Sequence, residues 1–334
     1  MGYKISVIVP IFNKEDVLEN TILSVIRQTI GFENLELILV DDESTDNSKS
    51  IINNFASQYS NIKPIFLNKN CGAGQARNIG IDNATSEYIM FLDDDDEYVE
   101  DICETLYKKI EETGVDLVGC NHIDINLNQS PKLIYCLDKT IGEKYITTTD
   151  NIISTVSVCN KIHRKDFIKE NNIRFENRVG EDFNFTALEF AHMDAMIFLN
   201  QYHGYKYYNN NDSDAKVPSK ENINHVIKSW HQAFDNLKEI NREDIFEHHI
   251  KTQMGGFFFR MMYYDGTKQE KYELFEKLYE FEKYYGKEIE LKVKPFVPIN
   301  NRILKKQYNQ AILLLNILRI MRGGLIKMRK IFSG

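Results

Sequence analysis

The sequence lacks any apolar run long enough to cross a membrane, and it has few cysteines. A membrane span needs about 18 consecutive apolar residues. The first apolar run, Ile5–Pro10, is much shorter and has no small-residue cleavage site, so it predicts a strand rather than a signal peptide. The five cysteines are odd in number and form no Cys-x-x-Cys pair, which favours a reducing compartment. These absences predict a cytoplasmic protein.

Negative charge is absent from the end of the chain. No Asp or Glu follows Glu290, whereas ten Lys and Arg residues do. Since the whole chain has a formal charge of −8, residues 1–290 carry −18. The acidic body argues against a nucleic-acid partner, and the basic tail predicts an anionic surface as its own partner.

The first third of the chain alternates the signals of strands and helices. With 43% hydrophobic and 27% charged residues, the composition predicts a packed core, in one large domain with an appendage or in two domains. Apolar runs predict strands at Ile5–Pro10, Leu35–Val40, Lys63–Leu67 and Tyr88–Leu92, and helical spacing predicts helices at Asp16–Arg27, near Ile51–Phe55 and at Ala76–Asn83. This order predicts an α/β fold with a mostly parallel sheet, right-handed crossovers and helices on both faces.

An acidic run, Asp93–Asp96, directly follows the fourth predicted strand. Four adjacent carboxylates repel one another inside a fold unless a cation lies among them. Ligands of open α/β sheets bind at the carboxyl ends of strands. The run therefore predicts a divalent metal site with oxygen ligands that also holds a substrate phosphate. The alternative is a solvated acidic turn that caps a helix near Val99.

Two further polar segments follow predicted strands, Pro10–Asn13 and Asp41-Asp42. Ordinary turn chemistry explains each of them alone. In a parallel sheet, however, they meet Asp93–Asp96 at one edge, and Arg77 lies on the helix before that strand. Together these residues predict a ligand site.

Five blocks of the sequence, in the same order, resemble the family 2 nucleotide-sugar glycosyltransferases with the GT-A fold. They are residues 6–13 (SVIVPIFN), 40–46 (VDDESTD), 70–80 (NCG and ARNIG), 91–96 (FLDDDD) and 160–182 (NKIHR, IRF and GED). The resemblance covers residues 1 to about 199 and implies a GT-A, Rossmann-like catalytic domain. It also implies an inverting, metal-dependent enzyme of bacterial cell-surface polysaccharide synthesis. Such an enzyme moves a hexosyl or N-acetylhexosaminyl group from a UDP-sugar to a hydroxyl of a glycan, teichoic-type or lipid-linked acceptor.

The resemblance implies which residues bind the donor. An Asp-x-Asp pattern holds Mn²⁺ or Mg²⁺ in the family and corresponds here to Asp93 and Asp95, with Asp95 the more direct ligand. The ion neutralises the diphosphate leaving group. The nucleotide sugar is expected to contact Pro10, Phe12, Asn13, Asp41, Asp42, Gly72, Gly74, Arg77, Asp93 and Asp94. Among these, Phe12 packs on the base, Asp42 accepts the uracil N–H, and Arg77 reaches the base or the phosphates.

The acceptor side is implied by a later acidic pair. Inversion needs a base opposite the leaving phosphate. The resemblance assigns this role to Asp182, while Glu181 binds the acceptor or orders its loop. The alternative is an acidic helix start that the helix dipole favours. Asp96 and Lys161 are further acceptor-side candidates; Lys161 is otherwise a surface lysine, and His163 is incidental.

One position departs from the family. Relatives often have a Tyr-Arg segment that closes over the diphosphate, but here Asn209 stands where that arginine would be. Either the metal carries more of the leaving-group charge, or a basic residue such as Lys216 substitutes. His203 is a spare ligand.

The last third of the chain predicts a helical module. We expect a catalytic domain over residues 1–217, with its nucleotide-sugar part at 1–98 and its acceptor part at 99–217, followed by the module at 218–334. Ser219 is a predicted helix cap, and Gly323-Gly324 is expected to interrupt the basic amphipathic segment 302–332. This segment is either a surface helix at the inner face of the cell membrane or a helix packed on its own domain. It could also pack on a second subunit of a homo-oligomer.

Two other functions fit part of the pattern. A nucleotidyltransferase of similar architecture would place a glycine-rich, basic loop directly after the first strand, where this chain has Ile11-Phe12-Asn13. A catalytically inactive sugar-binding or scaffold subunit would have lost the metal carboxylates or the base, and this chain has both.

Overall fold

The computed structural model describes residues 2–126, 129–147, 157–176, 180–209, 218–287, 289, 291 and 293–332, with the backbone alone for residue 252 and for 323–332. The chain divides into two compact units, residues 1–210 and 211–334. The first contains the predicted alternation of strands and helices, and the second is helical.

The first unit is built on one sheet, with ten strands in the described residues. The strands are β1 (Ile5–Ile11), β2 (Leu35–Asp41), β3 (Ile62–Phe66), β4 (Tyr88–Phe91), β5 (Glu97–Tyr98), β6 (Leu117–Ile125), β7 (Lys132–Ile134), β8 (Glu143–Thr147), β9 (Lys161–Arg164) and β10 (Ala195–Tyr208). The helices of this unit are α1 (Leu18–Ile26), α2 (Ser48–Gln58), α3 (Ala73–Asn83), α4 (Ile102–Thr113), α5 (Lys165–Glu170) and α6 (Glu181–His192).

The sheet has the order β3-β2-β1-β4-β9-β6-β10-β5, with β7 beside β6 and β8 beside β10. β1 pairs in parallel with β2 and with β4, so that Ile8 lies opposite Ile38 and Phe91. β9 is antiparallel between β4 and β6, whereas β6 and β10 are again parallel. The predicted α/β class with a mostly parallel sheet is confirmed. The antiparallel strands follow β4, where the strand and helix alternation of the sequence ends.

The apolar runs of β1 and β2 are continuous because both strands are covered on both faces. All seven residues of each strand are buried, which an open face would not allow. Helix α3 approaches β1 closely at Gly80, where a Cβ atom would lie 2.2 Å from Cγ2 of Ile8. The carboxyl ends of β1, β2 and β4 therefore meet at one edge of a fully packed sheet.

An aromatic cluster connects β4 to the start of α6. The rings of Phe175 and Phe185 are stacked with centroids 4.0 Å apart, and Phe91 meets them edge-on at 5.3 and 5.9 Å. Phe91 is the last residue of β4, and Phe185 lies near the start of α6. The cluster thus brings together two segments that lie about 90 residues apart in the sequence, within the length of one domain.

The second unit is a set of helices around an aromatic core. They are α7 (Lys220–Glu239), α8 (Glu243–Tyr263), α9 (Lys268–Tyr285), α10 (Val297–Leu304) and α11 (Tyr308–Phe332). Trp230 of α7 packs against Phe257 of α8 and Phe281 of α9, with ring centroids 5.7 and 5.6 Å apart. Ser219 Oγ accepts a hydrogen bond from the Asn222 N–H at 3.0 Å, so the predicted cap of α7 is confirmed.

The last helix differs from its prediction. The backbone of α11 remains helical through Gly323-Gly324, so the predicted interruption is wrong. A glycine inside a helix costs only about 1 kcal/mol relative to alanine, and a long helix tolerates that loss. In the part of the chain that the structure describes, no helix combines the length and the apolar character that crossing a membrane requires.

Candidate functional site

The turns after β1 and β2 are tied together at the edge of the sheet. Asn13 has a φ of 52°, a left-handed conformation that asparagine tolerates. Its N–H donates to the Ser44 hydroxyl at 3.0 Å, and its Oδ1 accepts from the Thr45 N–H at 2.8 Å. The N–H of Phe12 donates to Asp94 Oδ2 at 2.9 Å, and the ring of Phe12 is exposed. The turn thus holds an exposed aromatic ring beside the acidic run.

Asp42 organises the turn that precedes α3. Its Oδ1 accepts from the Cys71 N–H at 2.8 Å, and its Oδ2 accepts from the Gly72 N–H at 2.7 Å. Gly72 has a φ of 89°, which a residue with a side chain rarely adopts. Asp42 is buried, as are Asp41 and Pro10 at the ends of their strands. The Asp42 carboxylate thus holds this backbone turn. Its predicted contact with a uracil N–H stays a prediction.

Arg77 lies at the centre of the site and is buried. Its Nη2 donates to Asp93 Oδ1 at 2.6 Å, and its Nη1 donates to Glu181 Oε1 at 3.0 Å and to Asp182 Oδ1 at 3.4 Å. Burial lowers the pKa of Arg77, but the charges of Asp93, Asp182 and Glu181 raise this pKa by more, so the guanidinium stays charged. One cation therefore joins the end of β4 to the start of α6.

Lys14 is a site residue that the sequence analysis did not identify. Its Nζ lies 2.5 Å from Asp95 Oδ2 and 3.7 Å from Asp94 Oδ1. Burial raises the pKa of Asp94 to about 7; Lys14 opposes the rise, and the charges of Asp95 and Asp93 add to it. The signal for Lys14 is a basic residue directly after the strand-end turn, which pattern analysis treats as an ordinary solvated lysine.

Asp182 has the properties of a proton acceptor near neutral pH. Burial raises the pKa of Asp182 to about 7; Arg77 opposes this rise, while Glu181 and Asp93 increase it. The side chain keeps 28% of its surface exposed, so a second molecule can reach it. Asp182 and Glu181 also occupy the first turn of α6, where the helix dipole favours acidic residues. Both interpretations of the acidic pair are therefore compatible with its position.

Two predicted acceptor-side residues are turned into the protein. Asp96 accepts from the Tyr205 hydroxyl at 2.5 Å and from the Tyr208 N–H at 2.7 Å, and burial raises the pKa of Asp96 to about 8. Lys161 is fully buried, and its Nζ donates to the Ser157 carbonyl at 2.6 Å. The alternative that Lys161 is a surface lysine is wrong. Neither side chain offers an accessible polar group to an acceptor, because each one already bonds to its own chain.

Gly74 permits a close approach between two helix starts. A Cβ atom on Gly74 would lie 3.1 Å from Phe175 Cβ and 3.2 Å from Glu181 Cβ. A side chain would therefore push the start of α3 away from the start of α6. Since Arg77 lies on α3, this contact keeps its guanidinium within reach of Glu181. The position of Gly74 is thus explained by packing, and its contact with a nucleotide stays a prediction.

The remaining candidates lie farther along the chain. The N–H of Asn209 donates to the Ile125 carbonyl at 2.8 Å and extends the pairing of β10 with β6. Lys216 lies outside the described residues. Burial lowers the pKa of His203, whose ring meets Tyr135 edge-on with centroids 4.6 Å apart. Among the described residues, no three His, Cys, Asp or Glu side chains form a ready-made metal cluster.

Comparison with known proteins supplies independent information. Residues 6–171 match the family model described as Glycosyl transferase family 2. A cholesterol galactosyltransferase of Borreliella burgdorferi is 29% identical over 284 residues, which cover 80% of this chain and 75% of that protein. The uncharacterized glycosyltransferase YibD of Escherichia coli is 30% identical over 246 residues, covering 67% of this chain and 68% of that protein. Other curated relatives are longer: the chain spans 30% of GlyA of Streptococcus pneumoniae and 20% of the minor teichoic acid biosynthesis protein GgaB of Bacillus subtilis.

Among solved structures, a fragment of S. aureus TarS (residues 1–349) in complex with UDP-GlcNAc is similar with a TM-score of 0.73. The match covers 95% of this chain and 91% of that one, at 20% sequence identity. This likeness concerns the fold, since so low an identity does not carry over the details of a site.

Proposed function

This chain belongs to glycosyl transferase family 2 and is a glycosyltransferase, and we propose that it transfers a sugar from a UDP-sugar to a hydroxyl group with inversion and with a divalent metal ion. The observation that carries the proposal is the position of Arg77 between Asp93 and Asp182. Asp93 lies at a strand end, where α/β sheets bind ligands. Asp182 lies at a helix start and supplies a second carboxylate at the same guanidinium.

The donor is proposed to bind at the edge formed by β1, β2 and β4. The exposed ring of Phe12 offers a stacking surface for a nucleobase, and the bonds between Asn13 and Ser44 hold that turn in place. TarS, whose fold resembles that of this chain, was solved with UDP-GlcNAc and with UDP. This supports a UDP-sugar as the donor and a hexosyl or N-acetylhexosaminyl group as the sugar transferred.

The acidic run fits a divalent metal ion in its chemistry. Mg²⁺ and Mn²⁺ prefer oxygen ligands, and Mg²⁺ usually binds through one or two carboxylates and substrate phosphates rather than through a complete protein cage. Asp93 and Asp95 would supply the two carboxylates. Beside them, burial raises the pKa of Asp94 to about 7 against the opposing charge of Lys14. When bound, the ion would neutralise the charge of the diphosphate leaving group.

Asp182 is proposed as the catalytic base. Its carboxylate accepts the proton of the acceptor hydroxyl while that oxygen forms a bond to the anomeric carbon. The bond from this carbon to the diphosphate breaks on the opposite face, and UDP leaves with the bonding electrons. A base works best when its pKa lies near the operating pH, and burial raises the pKa of Asp182 to about 7. Glu181, which also accepts a hydrogen bond from Arg77, is proposed to bind the acceptor or to order its loop.

The acceptor is proposed to be a glycan, a teichoic-type polymer or a lipid-linked sugar. One relative, GgaB, is named as a minor teichoic acid biosynthesis protein, and another is named as a galactosyltransferase of a lipid, cholesterol. A cytoplasmic location and a homo-oligomer stay predictions. The alternative of a nucleotidyltransferase is not supported, since the chain is a glycosyltransferase.

The proposal is tested by Asp182→Asn with Asp166→Asn as its matched control, because Asp166 is an exposed acid on α5. UDP release is measured for a panel of UDP-sugars with Mn²⁺, and UDP binding is measured by the shift in unfolding temperature. Loss of a general base lowers turnover about 10²- to 10⁴-fold. We expect such a loss for Asp182→Asn, with UDP binding intact, and none for Asp166→Asn. Near-normal turnover of Asp182→Asn would remove this residue from its role, and stabilisation by UDP without metal would contradict the metal site.

A further inference from the structure

Helix α11 has a second apolar face that its own unit leaves open. One face, with Ala311 and Leu315, is buried against the other helices of the unit. A different face carries large apolar side chains with 43% to 74% of their surface exposed. Its members are Leu313, Ile317, Ile320 and Met321, which we call the open face. A helix that only packs on its own unit needs a single apolar face, so the second one requires another explanation.

The open face is continuous along the helix. Its residues follow one another at steps of four, three and one, which places them along one side of a helix with 3.6 residues per turn. In the sequence the same spacing reaches Met328 and Ile331. The helix has 25 residues and is therefore about 37 Å long. Contiguous exposed apolar surface of this kind marks an interaction site in most proteins.

The charge of this part of the chain indicates the kind of partner. Ten basic residues and no acidic residue follow Glu290. Two of these residues, Arg319 and Arg322, lie on α11 and contact its own unit. Arg319 donates to Asp265 at 2.7 Å, and the guanidinium of Arg322 lies 4.4 Å from the ring centroid of Phe259. Five of these basic residues and no acidic residue lie on α11, so pairing of α11 with α11 of a second copy would bring two sets of five positive charges together, which is unfavourable. An anionic lipid surface matches both the apolar side chains and the positive charge.

We propose that the open face of α11 docks on an anionic lipid surface. The helix lies in the plane of the interface, with Ile317 and Ile320 in the region between the headgroups and the acyl chains. The net positive charge of the helix attracts the anionic headgroups. This docking is independent of the donor and of the catalytic residues, because the residues involved lie in the helical unit.

The full chain is tested by co-sedimentation with vesicles of phosphatidylcholine, either alone or mixed with phosphatidylglycerol. We expect binding to the mixed vesicles that is at least about tenfold stronger than to phosphatidylcholine alone and that weakens as salt is added. The double variant Ile317→Ser/Ile320→Ser is expected to lose this binding by about tenfold or more. Both positions are exposed, so the fold should persist. Leu133→Ser, at an exposed position of β7 in the other unit, is the matched control and should bind as the unaltered chain does.

Light scattering after size-exclusion chromatography distinguishes lipid docking from self-association. If the double variant binds the mixed vesicles as well as the unaltered chain does, or if the unaltered chain binds neither vesicle, the proposal is wrong. If the unaltered chain is an oligomer that the double variant dissociates, and vesicle binding is absent, the open face is an interface with a second copy. Loss of vesicle binding without a change in oligomeric state supports docking on lipid.

Discussion

Replacement of Arg77 by glutamine should destabilise the first unit strongly. The side chain is buried and donates to Asp93 at 2.6 Å, to Glu181 at 3.0 Å and to Asp182 at 3.4 Å. Glutamine keeps much of the volume but removes the positive charge, and three carboxylates then face one another without a cation. Removal of one partner from a buried ion pair costs about 3–5 kcal/mol, because the remaining charge is left uncompensated.

The exposure of the partners lowers this figure. The side chain of Asp93 is 38% exposed and that of Asp182 28%, whereas that of Glu181 is only 15% exposed. Water screens the two more exposed carboxylates, so we expect a loss of about 3 kcal/mol in the free energy of unfolding. For a domain of this size, 1 kcal/mol corresponds to about 2–4 °C in the unfolding temperature. The variant should therefore unfold roughly 6–12 °C below the unaltered chain at pH 8.

The loss of stability in Arg77→Gln, which we call the deficit, should also depend on pH with a definite sign. Burial raises the pKa of Asp182 to about 7 although Arg77 opposes this rise, so without Arg77 the pKa of Asp182 in the folded state rises further above that of the unfolded chain. The charged form of Asp182 then disfavours folding, and the penalty disappears as this carboxylate is protonated in the folded state. The deficit is thus expected to be largest at pH 8 and to shrink as the pH falls through 7 toward 5.

Calorimetry or circular dichroism at several pH values measures these effects. Arg77→Lys keeps the charge but not the forked geometry and should show about half of the deficit. Arg174→Gln is the matched control. Arg174 Nη2 lies 2.9 Å from Asp82 Oδ1, but the side chain of Asp82 is largely exposed, and surface ion pairs contribute only about 0–1 kcal/mol. The reasoning is refuted if Arg77→Gln unfolds within about 2 °C of the unaltered chain, or if its deficit does not change with pH.

Two further predictions concern Asp182 and Gly80. Burial raises the pKa of Asp182 to about 7, so the charged form of this carboxylate opposes folding. Asp182→Asn should therefore raise the unfolding temperature. The gain should grow between pH 4 and about 7 and then level off. A gain that is constant or falls with pH would contradict the raised pKa. Gly80→Ala should destabilise by about 1–3 kcal/mol, because its Cβ would lie 2.2 Å from Ile8 Cγ2 in a packed core. Gly256→Ala is the control, because Gly256 lies on an exposed part of α8 and an added Cβ would lie 3.7 Å from the nearest atom. This variant should be stabilised by about 0.5–1 kcal/mol. Both variants are compared by denaturant unfolding, and equal effects on the free energy of unfolding would rule out the packing argument.

Local patterns were sufficient for much of the fold. The strands β1, β2 and β4 could be predicted from continuous apolar runs, because strands covered on both faces need no polar side chains. The ligand-binding edge could be predicted from the polar residues that follow these strands, since parallel strands place their carboxyl ends at one edge. One prediction in the helical part, the interruption at Gly323-Gly324, was wrong. It treated the low helix propensity of glycine as the end of a helix. Glycine weakens a helix by too little to end one of this length.

The sequence by itself determined the first four strands of the sheet and the acidic and polar residues that follow them at its ligand-binding edge. Only the tertiary structure decided how those side chains are paired. Arg77 meets Glu181 and Asp182 across about 100 residues of intervening chain, because Gly74 lets the starts of α3 and α6 approach each other. Lys14 meets Asp95 across about 80 residues, because β1 and β4 are neighbours in the sheet. Lys161 is buried although its sequence context would also fit an exposed lysine. Periodicity records which face of an element is apolar, whereas the partner of a charge depends on distances that exist only after the chain has folded.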